Sequence, residues 1–255
     1  MKRMRIRVVI ALLVLLTSFS SNMSAQSNMN RTEAQTKMNN NQTLEAKQQS
    51  IVTISALTAV GDLENLQRAL NGGLDSGLTV NEVKDVLVQM YAYCGFPRSL
   101  NGINAFMSLL EDRKKKGIND ETGKTATPIA DSDRYERGRK TLETLTGQPK
   151  SKPATGFGEF FPTIDRFLKE HLFADIFDSD ILTYQQRELA TISALAAMPG
   201  VQPQLESHLS MGMNTGLTEN QLREAFDLIE RKVGKQQAEA AQKSLVKVTA
   251  ARQKR

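Results

Sequence analysis

Ser76–Leu87 reads SGLTVNEVKDVL, and Thr215–Phe226 reads TGLTENQLREAF. The same phrase is written twice, 139 residues apart. In the first copy Gly77 supplies the positive φ that commonly ends a helix. Thr79 then caps the next helix, and Glu82 stands three residues on, the pattern of a capping box. Gly216, Thr218 and Gln221 take the same three places in the second copy. The phrase is a corner between two helices.

Working outward, TISAL occurs at Thr53–Leu57 and again at Thr191–Leu195, an offset of 138. Two ordered anchors that differ by a single inserted residue mark an internal duplication. The helix before each corner carries an apolar stripe at i, i+3, i+4, i+7, i+8, the spacing of a buried face. In repeat 1 it is Leu66, Ala69, Leu70, Gly73 and Leu74; in repeat 2 it is Leu205, His208, Leu209, Gly212 and Met213. No run alternates with a period of two, so the class is all-α. After the first corner the helix ends at YAYCGFP, where Gly95 stops it and Pro97 starts the next segment. Repeat 2 keeps the stop as Gly234.

The rest of the chain follows from composition. Residues 1–25 combine a basic MKRMRIR, a nine-residue apolar VVIALLVLL and small residues before Gln26. Nine residues are too few to span a bilayer, so this reads as a signal peptide cut after Ala25. The protein is then expected to be exported, periplasmic or secreted, with no stable membrane insertion. Residues 26–43 are a polar leader, 44–118 the first repeat, and 119–155 a linker with a short helix near 134–146. The second repeat occupies 156–250, and 251–255 is a basic tail. Removing the signal takes four basic residues away, leaving 29 basic against 28 acidic. That balance gives no electrostatic case for nucleic acid. A single cysteine, Cys94, excludes an internal disulfide or dithiol. Two histidines, His171 and His208, offer no metal-ligand spacing, so no metal site is expected.

Taken together, TISALTAVGDLENLQRALNGGLDSGLTVNEVKDVLVQMYAYCGFP and QRELATISALAAMPGVQPQLESHLSMGMNTGLTENQLREAF resemble the carboxymuconolactone decarboxylase family. That family includes the alkylhydroperoxidase D-like proteins. The resemblance implies a tandem duplication of an alkylhydroperoxidase D-like helical domain, usually a homo-oligomer. Decarboxylase members act without cofactor on a small carboxylated lactone. Hydroperoxidase members use a Cys-x-x-Cys pair with a Glu and a His as proton relay. By resemblance Glu188 and His208 match the relay positions. Their repeat-1 counterparts are Ser50 and Ala69, so the fold itself does not demand ionisable groups there.

Glu188 and His208 are therefore the expected catalytic pair. Arg187 is expected to hold a substrate carboxylate. Tyr93, Cys94 and Pro97, whose repeat-2 counterparts are Lys232, Val233 and Gln236, are expected to complete one composite site. His171 reads as a packing or helix-end residue. The segment between Glu188 and His208 holds no cysteine, which disfavours peroxidase chemistry. The leading expectation is a lyase on a small carboxylate substrate. The alternatives are a peroxide-detoxifying protein and a non-catalytic binding protein that keeps the fold.

Overall fold

The computed structural model describes residues 43–129, 132–150 and 155–254, and among these every regular element is a helix. The expected signal peptide and nearly all of the leader lie outside the described residues. Among the described residues no helix is long and apolar enough to cross a membrane. Repeat 1 supplies α1 (Ala46–Val60), α2 (Leu63–Asp75) and α3 (Val80–Lys115). Between the repeats lie α4 (Arg134–Thr146), the short α5 (Phe157–Phe160) and α6 (Pro162–Arg166), and a π-helical stretch, Phe167–Ile176. Repeat 2 supplies α7 (Tyr184–Ala197), α8 (Gln202–Asn214), α9 (Glu219–Lys232) and α10 (Lys235–Gln253).

Both corners form as the sequence dictates. Gly77 and Gly216 have φ of 90° and 101°. The Thr79 and Thr218 hydroxyls accept from the backbone N–H of Glu82 and Gln221, whose side chains accept in return. Each box satisfies two helix-end donors that would otherwise lack partners. Within α3, Gly95 leaves the helical region at φ 83° and ψ 159°, so the helix bends there. Its second half is thereby the counterpart of α10, and the duplication extends through four helical segments per repeat.

The two central helices, α1 and α7, pack extensively against each other among the described residues. Ile51, Ile54 and Leu57 of α1 are buried, as are Leu189, Ile192 and Leu195 of α7. A fully buried Leu or Ile contributes about 1.5–3 kcal/mol. Each central helix also packs on the third helix of the other repeat, α1 on α9 and α7 on α3. The repeats are interlocked and share one apolar core.

The connecting segment breaks the symmetry. α4 packs along the π-helical stretch, and Leu145, Leu172, Phe173, Ile176 and Phe177 form a second small core with Met211 of α8. Tyr93 and Tyr184 pack against that core from the repeats. The segment therefore roofs one face of repeat 2. Its seating depends on Gly138, where an added Cβ would sit 1.8 Å from the Lys169 carbonyl oxygen. A backbone oxygen in a helix cannot yield as a side chain can. Gly138→Ala is expected to destabilise the protein by about 3 kcal/mol, read as a lower urea midpoint by circular dichroism. An unchanged midpoint would mean that α4 is not seated on the π-helical stretch.

Candidate functional site

α7 begins with a capping box, Thr183 with Gln186, which fixes the register of the next turn. Arg187 and Glu188 follow at once, and both are fully buried. Glu188 lies over α8, where Gly212 keeps the two helices close. A Cβ on Gly212 would come within 2.7 Å of Ile192 Cδ1 and 3.7 Å of Glu188 Cβ. One turn earlier on α8, His208 Nδ1 meets Glu188 Oε2 at 2.8 Å. Both side chains are buried, the imidazole showing 9% of its surface and the carboxylate none. A buried carboxylate is costly without such a partner. With Nδ1 engaged, Nε2 has no partner among the described residues and is the ring atom left to exchange a proton.

The third member comes from the other repeat. Tyr93 of α3 sets its ring edge-on to His208, centroids 5.4 Å apart at 82°. Its hydroxyl is buried beside Thr191 but reaches no partner in hydrogen-bonding geometry. Burial first, and the Glu188 charge second, push its pKa well above the usual phenol range. Tyr93 thus stays a neutral hydroxyl at any ordinary pH. Of the buried side-chain polar atoms without a partner among the described residues, Tyr93 Oη, Glu188 Oε1 and Arg187 Nε all belong to this neighbourhood. Such atoms are rare in folded proteins, and each calls for a physical explanation.

Arg187 has a different duty from the one expected. Its guanidinium is wholly buried, pairs with Asp85 of repeat 1, and donates to the Ser179 carbonyl at 2.6 Å. Its Nη1 donates to Gln89 Oε1 at 2.9 Å. The Gln89 amide donates in turn to the Arg187 carbonyl and to Thr191 Oγ1, both at 2.8 Å. Burial pulls the Arg187 pKa down and Asp85 opposes the shift. The charge is already balanced inside the protein, so the guanidinium braces the two repeats instead of standing free for a substrate carboxylate.

Asp85 and Gln89 escaped the sequence reading. The signal was present, since Gln89 is a polar residue within the apolar run VLVQMY and its repeat-2 counterpart is Leu228. Pro97 is exposed just past the bend at Gly95 and is not brought to the pair. His171 is also at the surface, bonded to Asp175 at 3.1 Å.

Cys94 is half-buried, and its thiol donates to the Met90 carbonyl at 3.1 Å. Burial pushes the thiol up to about 11. Among the described residues no group of three or more His, Cys, Asp or Glu side chains is gathered as a metal site.

With this geometry in place, the comparisons with known proteins have a clear meaning. The chain belongs to the carboxymuconolactone decarboxylase family, whose profile matches it twice, at residues 26–107 and 162–247. An uncharacterized protein of Methanocaldococcus jannaschii is 26% identical over 70 residues, covering 28% of this chain and 65% of that relative. The chain therefore spans a little under two thirds of that protein. The two matches carry the tandem duplication of the family's helical domain.

The raised thiol has two measurable consequences. Alkylation of Cys94 by iodoacetamide near pH 8 is expected to run about 100-fold slower than that of a free peptide thiol, because two pKa units remove that much thiolate. A rate equal to the free thiol would contradict the buried placement. Because the folded value lies above 9.0, the neutral thiol contributes stability that is complete below pH 9 and lost as pH rises from 9.0 to about 11. Cys94→Ala should flatten that decline by about 2 kcal/mol, measured as urea stability at several pH values.

Proposed function

We propose that this protein is a cofactor-free lyase that decarboxylates a small carboxylated lactone or a related acid, with His208 as the proton carrier. The observation that carries this reading is the buried Glu188–His208 bond of 2.8 Å with the neutral Tyr93 ring set against it. Loss of carbon dioxide leaves an electron pair on the former α-carbon. His208 in its doubly protonated form, with Nδ1–H held by Glu188, gives its Nε2 proton to that carbon, which leaves a neutral ring that solvent reprotonates at Nε2. Glu188 holds the imidazole through Nδ1 and balances the positive charge of the doubly protonated ring before the transfer. The unpartnered Tyr93 hydroxyl supplies a hydrogen bond to the negative charge that develops on the substrate.

The expected export is carried by the N-terminal sequence alone, and homo-oligomerisation by likeness to the family. A peroxidase reading finds less support, because Cys94 is the chain's one thiol and burial disfavours its thiolate. A binding protein that keeps the fold is the remaining reading, and turnover separates it from the lyase.

The test follows loss of ultraviolet absorbance from 4-carboxymuconolactone. His208→Ala should abolish turnover, and Glu188→Gln should lower kcat by about 100-fold or more with KM less affected. Tyr93→Phe should lower kcat by about tenfold or more. Circular dichroism confirms that each variant is folded. Equal turnover by folded His208→Ala would remove His208 from the chemistry. Absence of turnover in the wild type would reject this substrate.

A further inference from the structure

A sizeable cavity lies away from His208. It lies against α1 and α2 of repeat 1, at the place equivalent to the Glu188–His208 site, with Leu228 and Lys232 of α9 on its wall, and holds about 360 Å³. Residue-by-residue equivalence explains why it exists. Where repeat 2 has Glu188 and His208, repeat 1 has Ser50 and Ala69, and both line the cavity. Where repeat 2 has Tyr184 and Met211 against the roof, repeat 1 has Ala46 and Gly72. Four large side chains are replaced by four small ones at a single spot. The hollow is the mould of the site that repeat 2 fills, and it opens to solvent where repeat 2 is roofed.

The chemistry of the walls is different from that of the filled site. Leu57 and Leu228 give an apolar surface. The hydroxyls of Ser50, Thr53 and Ser76 already donate to carbonyls of their own helices. The Gln49 amide is held by the Leu44 carbonyl and by Glu224. The donors left for a ligand are cationic. Lys232, the counterpart of Tyr93, lines the cavity and has no hydrogen-bond or ion-pair partner among the described residues. Arg68 also lines it and is tied only to the exposed Glu64 and to Asn65. No carboxylate stands among the lining residues. A hollow of this volume with an apolar patch, two cations and no acid among its lining residues matches a small organic anion, since ligand pockets commonly run from about 300 Å³ upward.

We propose that the repeat-1 cavity is a second, non-catalytic binding site for a small organic anion, an apolar body bearing a carboxylate or phosphate group. Lys232 and Arg68 receive the charged group, and Leu57 and Leu228 hold the body. The site lacks a histidine and a glutamate, so it binds without proton transfer. It stands independently of any reaction at His208.

Fluorine NMR on the purified protein tests this with 4-fluorobenzoate, 4-fluorophenyl phosphate and the neutral 4-fluorobenzamide. At least one anion is expected to bind saturably and at least tenfold more tightly than the amide. The tighter of the two identifies the head group. The Arg68→Met/Lys232→Met double variant should weaken that binding at least tenfold. Ala69→Leu, which fills the hollow and leaves both charges, should do the same. His208→Ala should retain it, separating this site from the one in repeat 2. Equal affinity for the amide, no saturable binding, or unchanged binding in either repeat-1 variant would overturn the proposal, as would loss of binding in folded His208→Ala.

Discussion

A guanidinium with no exposed surface has to be neutralised where it lies, and for Arg187 the neutralising carboxylate, Asp85, comes from the other repeat. Removing either partner strands a buried charge, which typically costs about 3–5 kcal/mol. The repeats therefore cannot separate without a large penalty. The duplication places a weaker version of the same brace on the opposite side. There Gln49 stands for Arg187 and Glu224 for Asp85, joined at 3.1 Å. One brace is ionic and the other a polar hydrogen bond. Together they tie α7 to α3 and α1 to α9, one link on each side of the repeat interface.

From that shared frame the repeats have diverged in opposite senses. Repeat 2 buries an acid and an imidazole on its helix pair and borrows Tyr93 from repeat 1. Gln89 links the brace to the site, since it bonds both Arg187 and Thr191, the neighbour of Tyr93. The α4 and π-helical roof then shields this face from water. A dry surround strengthens every charge interaction within it. Repeat 1 has small residues at each of these places and an open hollow, whose wall borrows Lys232 from repeat 2. A chain that needed only a stable core would gain nothing from a buried ionisable pair in one copy and an unfilled cavity in the other.

Much of the fold was legible because it rests on local rules. The two corners follow from Gly-Leu-Thr and a Glu or Gln three residues on, and both formed with the expected glycine φ and reciprocal caps. The stripes on α2 and α8 predicted their buried faces from spacing alone. Glu188 and His208 were legible because repeat 1 served as an internal control. Arg187 was misread because a sequence shows a charge but not its counter-charge, and Asp85 is 102 residues away. The placement of Pro97 failed for a similar reason. The bend at Gly95 sets the direction of everything after it, and no local signal gives that direction. The roof over repeat 2 was read only as a linker with a helix, since its packing rests on contacts between segments that are remote in sequence.

The central claim is that Glu188 fixes the imidazole of His208 through Nδ1 and leaves Nε2 for proton exchange. Nitrogen-15 NMR of the histidine side chains tests it most directly, with the ring in its neutral form. The account predicts that His208 carries its proton on Nδ1, in a hydrogen bond that Glu188→Gln weakens visibly. A His208 ring protonated on Nε2, or one that averages freely and ignores Glu188→Gln, would contradict it.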